Sequence, residues 1–208
     1  MTRDEIVVQI RNNINDAGAG TFYTAADLVD SFQDAYDDIA VISGCIQKSV
    51  TLDWVDDLSY YNFLSTVPDY FAVVAIYNNN TNRWLTPTAP KDLDNVRIDW
   101  ELWEGQPAFF APINFKYVAI APKMLVATGN FTLVYRAMAP TVTLGSTVPL
   151  VHLDEQTRLF QSYPTADLLD QQEKYKASEV WWKQYFEDVK RYKARVARLA
   201  VSDYAPGV

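Results

Sequence analysis

Histidine and cysteine are almost missing from this 208-residue chain, which has one of each, His152 and Cys45. A single cysteine excludes an internal disulfide framework, and its place in an apolar helical pattern marks it as a buried structural thiol. A single histidine leaves no Ser-His-Asp triad with a spare and no His-rich metal site. At the start of a predicted helix, His152 suits a structural hydrogen bond. No GxGxxG, Walker, HExxH, GxSxG or CxxC spacing occurs. No apolar run approaches a membrane span, and MTRDEIVVQIRNN lacks the apolar core of a signal peptide. The expectation is a protein that works in a cytoplasm, or in a particle assembled there, with no membrane partner, metal or cofactor.

Acids and aromatics are abundant instead. The net charge is −8, and the 13 Tyr, 10 Phe and 6 Trp give 29 aromatic side chains. Aromatics at that density fit either a well-stocked core or buried subunit interfaces. The length suits one domain over 1–199, with a tail at 200–208. Charge is divided unevenly along it. Residues 174–198 carry eight Lys or Arg against three acids, a net +5, whereas residues 1–173 carry ten against twenty-two, a net −12; Asp203 completes the −8.

Periodicity predicts an α+β fold: an antiparallel β module over 48–140 between an N-terminal helical pair (2–47) and C-terminal helices (150–199). Thr2 caps a first helix with Ile6, Val7, Ile10 and Ile14 at helical spacing, ended by the turn at 16–20. Thr24 caps a second, to about Gln47, whose stripe is Leu28, Phe32, Ala35, Ile39, Ile42 and Ile46. Asp27, Asp30, Asp34 and Asp37 or Asp38 recur on another face. Strands are expected at Ser49–Trp54, Tyr60–Phe63 and Phe71–Tyr77, with a hairpin tip at 78–82 and a helical turn at 90–95. Phe109–Ile113, Tyr117–Ile120 and Phe131–Ala137, bounded by Gly and Pro, read as a meander. After a connector at 141–149, one helix covers 152–163 and Pro164 restarts another at its first position. The last helix runs from about Lys174 to Arg198, with Trp181, Trp182, Tyr185, Phe186, Val189, Tyr192, Val196 and Leu199 along one stripe.

Two kinds of chemistry are weighed. If residues 99–101 form a strand, Asp99 and Glu101 share one face near Glu104, Trp100 and Trp103, the pairing of acids and aromatic platforms that glycosidases use. A solvated acidic loop explains the same residues. Nucleic-acid binding is disfavoured by the net charge and by aromatics confined to one stripe. A basic, aromatic helix on an acidic body suits docking on another protein.

The order of these motifs resembles the head-to-tail adaptor, or connector, proteins of tailed bacteriophages. The resemblance is carried by "VPDY" (67–70), Trp84-Leu85, "GQPAFFAP" (105–112), "YVAIAP" (117–122) and "TLVYRAMAP" (132–140) between helical ends. It implies a structural virion protein at the head–tail junction, made in the host cytoplasm and lacking catalytic residues. Copies would form a cyclic ring of about twelve subunits under the portal protein. The ring would dock the next tail component and extend a channel through which DNA passes without specific binding. On this expectation Trp181, Trp182, Tyr185, Phe186, Lys190, Arg191, Arg195 and Arg198 are the candidate portal or subunit interface. Asp27, Asp30, Asp34 and Asp37 are a candidate channel surface or a solvated face. The alternative is a β-rich carbohydrate-binding or glycoside-acting module.

Overall fold

The computed structural model describes residues 3–16, 22–126, 128–141 and 153–203. The expected helix cap at Thr2, the connector from residue 142 to 149, His152 and the end of the tail lie outside them. The elements begin with helices α1 (Arg3–Asn13) and α2 (Ala25–Ser43). Next come strands β1 (Gln47–Asp53) and β2 (Tyr60–Asn62), the short helix α3 (Phe63–Thr66), and strands β3 (Tyr70–Asn78), β4 (Arg83–Trp84) and β5 (Thr86–Pro87). Helix α4 (Pro90–Val96) and a 3-10 turn (Trp100–Leu102) lead to strands β6 (Phe109–Pro112), β7 (Tyr117–Ala121) and β8 (Asn130–Ala137). Helices α5 (Leu153–Gln171) and α6 (Tyr175–Asp203) close the chain. The fold is α+β, as the periodicity predicts, and it forms two compact units. Residues 46–138 make a β unit inserted between the two halves of a helical unit. Among the described residues no helix is long and apolar enough to cross a membrane.

In the helical unit, α2 starts at a capping box. Thr24 Oγ1 accepts from Asp27 N at 3.2 Å, and Thr24 N donates to Asp27 Oδ2 at 2.8 Å. The helix ends at Ser43, short of the expected Gln47. Gly44 adopts φ 62° and gives its N–H to Ala40 O at 2.9 Å, a left-handed C-cap that apolar periodicity does not reveal. Cys45 therefore lies just past the cap, half-buried, and Ile46 packs in the β unit. Leu28, Phe32, Ala35 and Ile39 are buried, and Phe32 stacks on Phe160 of α5 with centroids 4.9 Å apart. Helix α5 is continuous where a restart was expected. Pro164 lies inside it, so Phe160 O has no N–H four residues on. Burial of Leu159, Phe160, Ala166, Leu168 and Leu169 on both sides of the proline outweighs that loss. A tight reversal through Glu173 (φ 59°) then turns the chain into α6.

The β unit contains two four-stranded sheets, ordered β1-β8-β3-β4 and β2-β7-β6-β5. The expected meander is only partly formed: β6 and β7 pair as neighbours, but β8 joins the other sheet, between β1 and β3. Strand periodicity identifies β8 without naming its neighbours. The face carrying Phe131, Leu133, Tyr135 and Ala137 is buried with Trp54, Tyr61, Phe63 and Tyr70 in the main core, which a central strand fills best. The pair β5–β6 is parallel. Strand β7 is covered on both faces: Val118 and Ile120 enter the main core, while Ala119 and Ala121 pack with Leu93, Trp100 and Ala111 in a second cluster.

Gly129, at the turn into β8, has φ 75°, and a Cβ there would lie 1.9 Å from Asn80 Oδ1, whose side-chain amide bonds Thr128 O. Gly129→Ala should therefore lower stability by about 1–2 kcal/mol through left-handed strain and the displaced amide. Urea unfolding measures it; an unchanged midpoint would mean the turn relaxes freely.

Candidate functional site

The predicted site residues fall on two helices of the same unit, α2 and α6. One side of α6 is fixed to its neighbours by polar bonds inside an aromatic setting. Asp170, at the end of α5, accepts from Ser178 Oγ and from Trp182 Nε1, the latter at 2.7 Å. Asp38 of α2 accepts from the Tyr185 hydroxyl. Tyr163 of α5 meets both Trp182 and Tyr185 edge-on, with centroids 5.0 and 5.2 Å away. Tyr185 has no exposed surface, and Val189 and Tyr192 continue the buried stripe. Of the aromatic candidates, Tyr185 thus lies wholly inside the bundle and Trp182 is half-buried with its indole N–H bonded.

The other side of α6 is open. Phe186 is 60 % exposed although it stacks on Trp182, with centroids 6.0 Å apart. Val180 is 65 % exposed, and Trp181 is half-buried. Lys190, Arg191, Arg195 and Arg198 are all exposed, as is Lys193. Arg191 reaches back along the helix to Asp188 at 3.6 Å and Glu187 at 4.0 Å. Rotation by about 100° per residue makes this two-sidedness unavoidable: Tyr185 and Phe186 cannot point the same way.

The acids of α2 do not share one environment. Asp30 and Asp34 are exposed. Asp27 is exposed too, but its carboxylate takes part in the capping box, and the Thr24 hydrogen bonds hold its pKa below the usual value. Asp37 is half-buried, accepts from Gln33 Nε2 at 3.3 Å, and burial raises its pKa. Asp38, named by the sequence only as an alternative to Asp37, is the carboxylate that anchors α6. Its signal was the run Ser31, Ala35, Asp38 at helical spacing: Ser31 also turns inward, donating to Asp167 Oδ2 at 2.9 Å. Asp170 had no local signal, because its partners lie beyond the turn.

In the β unit the supposed carboxylate pair is not on a strand. Residues 100–102 form a 3-10 turn, Asp99 is paired with Arg97 at 2.7 Å, and Glu101 accepts from the Tyr60 hydroxyl. Trp100 is buried, with Nε1 donating to Asp94 at 2.9 Å, and presents no open ring face. Among the described residues no group of three or more His, Cys, Asp or Glu is placed to hold a metal ion.

No family model matches the chain, and a search of the curated proteins finds no similar one. The resemblance to phage adaptors therefore rests on the sequence motifs alone.

Two buried phenols, Tyr185 and Tyr36, give the helical unit a defined pH response. Burial, with Asp38 adding to it, pushes the Tyr185 phenol far above its ordinary value, and burial pushes Tyr36 up to about 12. Folding thus favours the protonated phenols. This contribution is complete below about pH 10, where the unfolded phenols begin to ionise, and is lost as pH rises through the folded values. Each group removes up to about 1.4 kcal/mol per pH unit in that window. Tyr185→Phe should lower stability at pH 7 and flatten its decline above pH 10, read by circular dichroism during urea unfolding. A variant with an equally steep alkaline loss would show that Tyr185 is not one of the titrating groups.

Proposed function

We propose that this chain is a non-enzymatic structural protein of a tailed-bacteriophage virion, a head-to-tail adaptor whose copies form a cyclic ring beneath the portal. In that role it docks the next tail component and extends the DNA channel without gripping the DNA. The observation that carries this reading is the two-sided character of α6. One side is bonded to Asp38 and Asp170, and the other presents Phe186, part of Trp181 and a run of cations. Aromatic residues and Arg dominate binding energy at protein interfaces, and clustered charge steers encounter with an oppositely charged partner. The motif resemblance supplies the identity of the assembly. A net charge of −8 makes free copies repel, so the isolated protein is a monomer or a weak oligomer until a portal holds the copies together. The glycoside-acting alternative loses support from the Arg97-bound Asp99 and the buried Trp100.

Electron microscopy of the chain mixed with candidate portal rings tests the proposal. Coaxial rings of the chain on the portal are expected. The double change Trp181→Ala and Phe186→Ala should abolish them while the melting temperature changes little. Assembly that survives the double change, or a glycan cleavage by the chain that Glu104→Gln removes, would contradict the reading.

A further inference from the structure

We propose that the cationic end of α6 docks on the acid-only outer face of α2 in a second copy of this chain, making a head-to-tail contact. This deepens the ring reading and rests on it for closure; the contact itself is argued from charge. Helix α2 carries Asp27, Asp30, Asp34, Asp37 and Asp38 and no Lys or Arg. Asp38 turns inward to Tyr185 and Asp37 is half-buried, whereas Asp27, Asp30 and Asp34 are exposed and, at about 100° per residue, fall within an arc of roughly 60° on the helix circumference. Asp30 and Asp34 are exposed, and among the described residues neither pairs with a cation. From Val189 to Arg198, α6 carries five cations and no acid. Lys190, Lys193 and Arg198 are exposed, and among the described residues none pairs with a carboxylate.

Two complementary helix faces on one unit do not satisfy each other here. Helices α2 and α6 meet through their inner sides, where Tyr185 bonds Asp38. That packing turns the Asp30–Asp34 face of one and the Lys190–Lys193 face of the other outward. Each copy therefore carries one acceptor face and one donor face, which are different surfaces. Such a contact is heterologous, so each copy can join two neighbours and a repeated rotation can close a ring. Surface charge is screened over about 8–10 Å at moderate salt, so the contact is weak alone and strongest at low ionic strength.

A charge-swap experiment on the full chain tests this. One variant carries Asp30→Lys and Asp34→Lys; the other carries Lys190→Glu and Lys193→Glu. Sedimentation velocity at low salt and high protein concentration should show self-association of the wild type that fades as salt is added. Each variant alone should sediment as a monomer with an unchanged melting curve. Mixed in equal amounts they should associate again, because both the original and the inverted contact are complementary. A wild type that stays monomeric at low salt, or a mixture that stays dissociated although both variants are folded, overturns the contact. So does a Lys190→Glu, Lys193→Glu variant that keeps self-association but loses binding to duplex DNA. Portal binding that persists when the mixture fails to associate refutes this contact and leaves the adaptor reading standing. The converse result refutes the adaptor reading alone.

Discussion

Asp38 and Asp170 fix the orientation of α6, and with it which of its side chains face outward. Both carboxylates are half-buried, and both receive hydrogen bonds from the same side of the helix: Tyr185 on Asp38, Ser178 and Trp182 on Asp170. Hydrogen bonds to charged groups contribute about 1.5–3 kcal/mol each, and removing one partner leaves the carboxylate poorly satisfied. Apolar burial alone would let a long helix slide or rotate among similar packings. Directional bonds to two fixed acids, from residues spaced along two turns, select one rotation. Once that rotation is set, Phe186 and the cations of the last turns face outward as a consequence of helix geometry.

Much of the fold was legible because it depends on local periodicity. Strands β1, β2, β3, β6, β7 and β8 appear close to their expected positions, since short runs of β-forming residues between turn signals specify an extended segment whatever its neighbours are, whereas the two-residue strands β4 and β5 are too short to show a period. The features that were not legible are non-local or hinge on one backbone angle. Gly44 ends α2 through a left-handed cap inside a run that still reads as helical. Pro164 looks like a helix start, yet tertiary burial on either side holds it inside α5. Strand β8 pairs across to β1 and β3 because its broad aromatic face is needed in the main core, a demand that no short window contains.

The candidate site shows the same division. The aromatic stripe of α6 was visible, but which aromatics serve the bundle and which face outward depends on partners far away in sequence. Trp182 was grouped with Trp181 until Asp170 is known to bind its indole nitrogen. Asp38 is one acid among five; its spacing from Ser31 and Ala35 hints at an inward side, but its partner Tyr185 lies 147 residues away. The acid pair near Trp100 leaves a strand face and a solvated loop both open in the sequence, because short acidic–aromatic segments carry no clear period; in the structure Arg97 and Tyr60 claim its carboxylates.

Neighbouring residues with opposite roles make the account directly measurable. Tyr185 has no exposed surface, whereas Phe186 is 60 % exposed. Urea unfolding of Tyr185→Ala and Phe186→Ala, compared side by side, tests whether the two sides of α6 are separate in energy as in geometry. The account predicts a loss of about 3–5 kcal/mol for Tyr185→Ala and under about 1 kcal/mol for Phe186→Ala. Equal losses at the two positions would contradict it, because α6 would then have no side free for a partner.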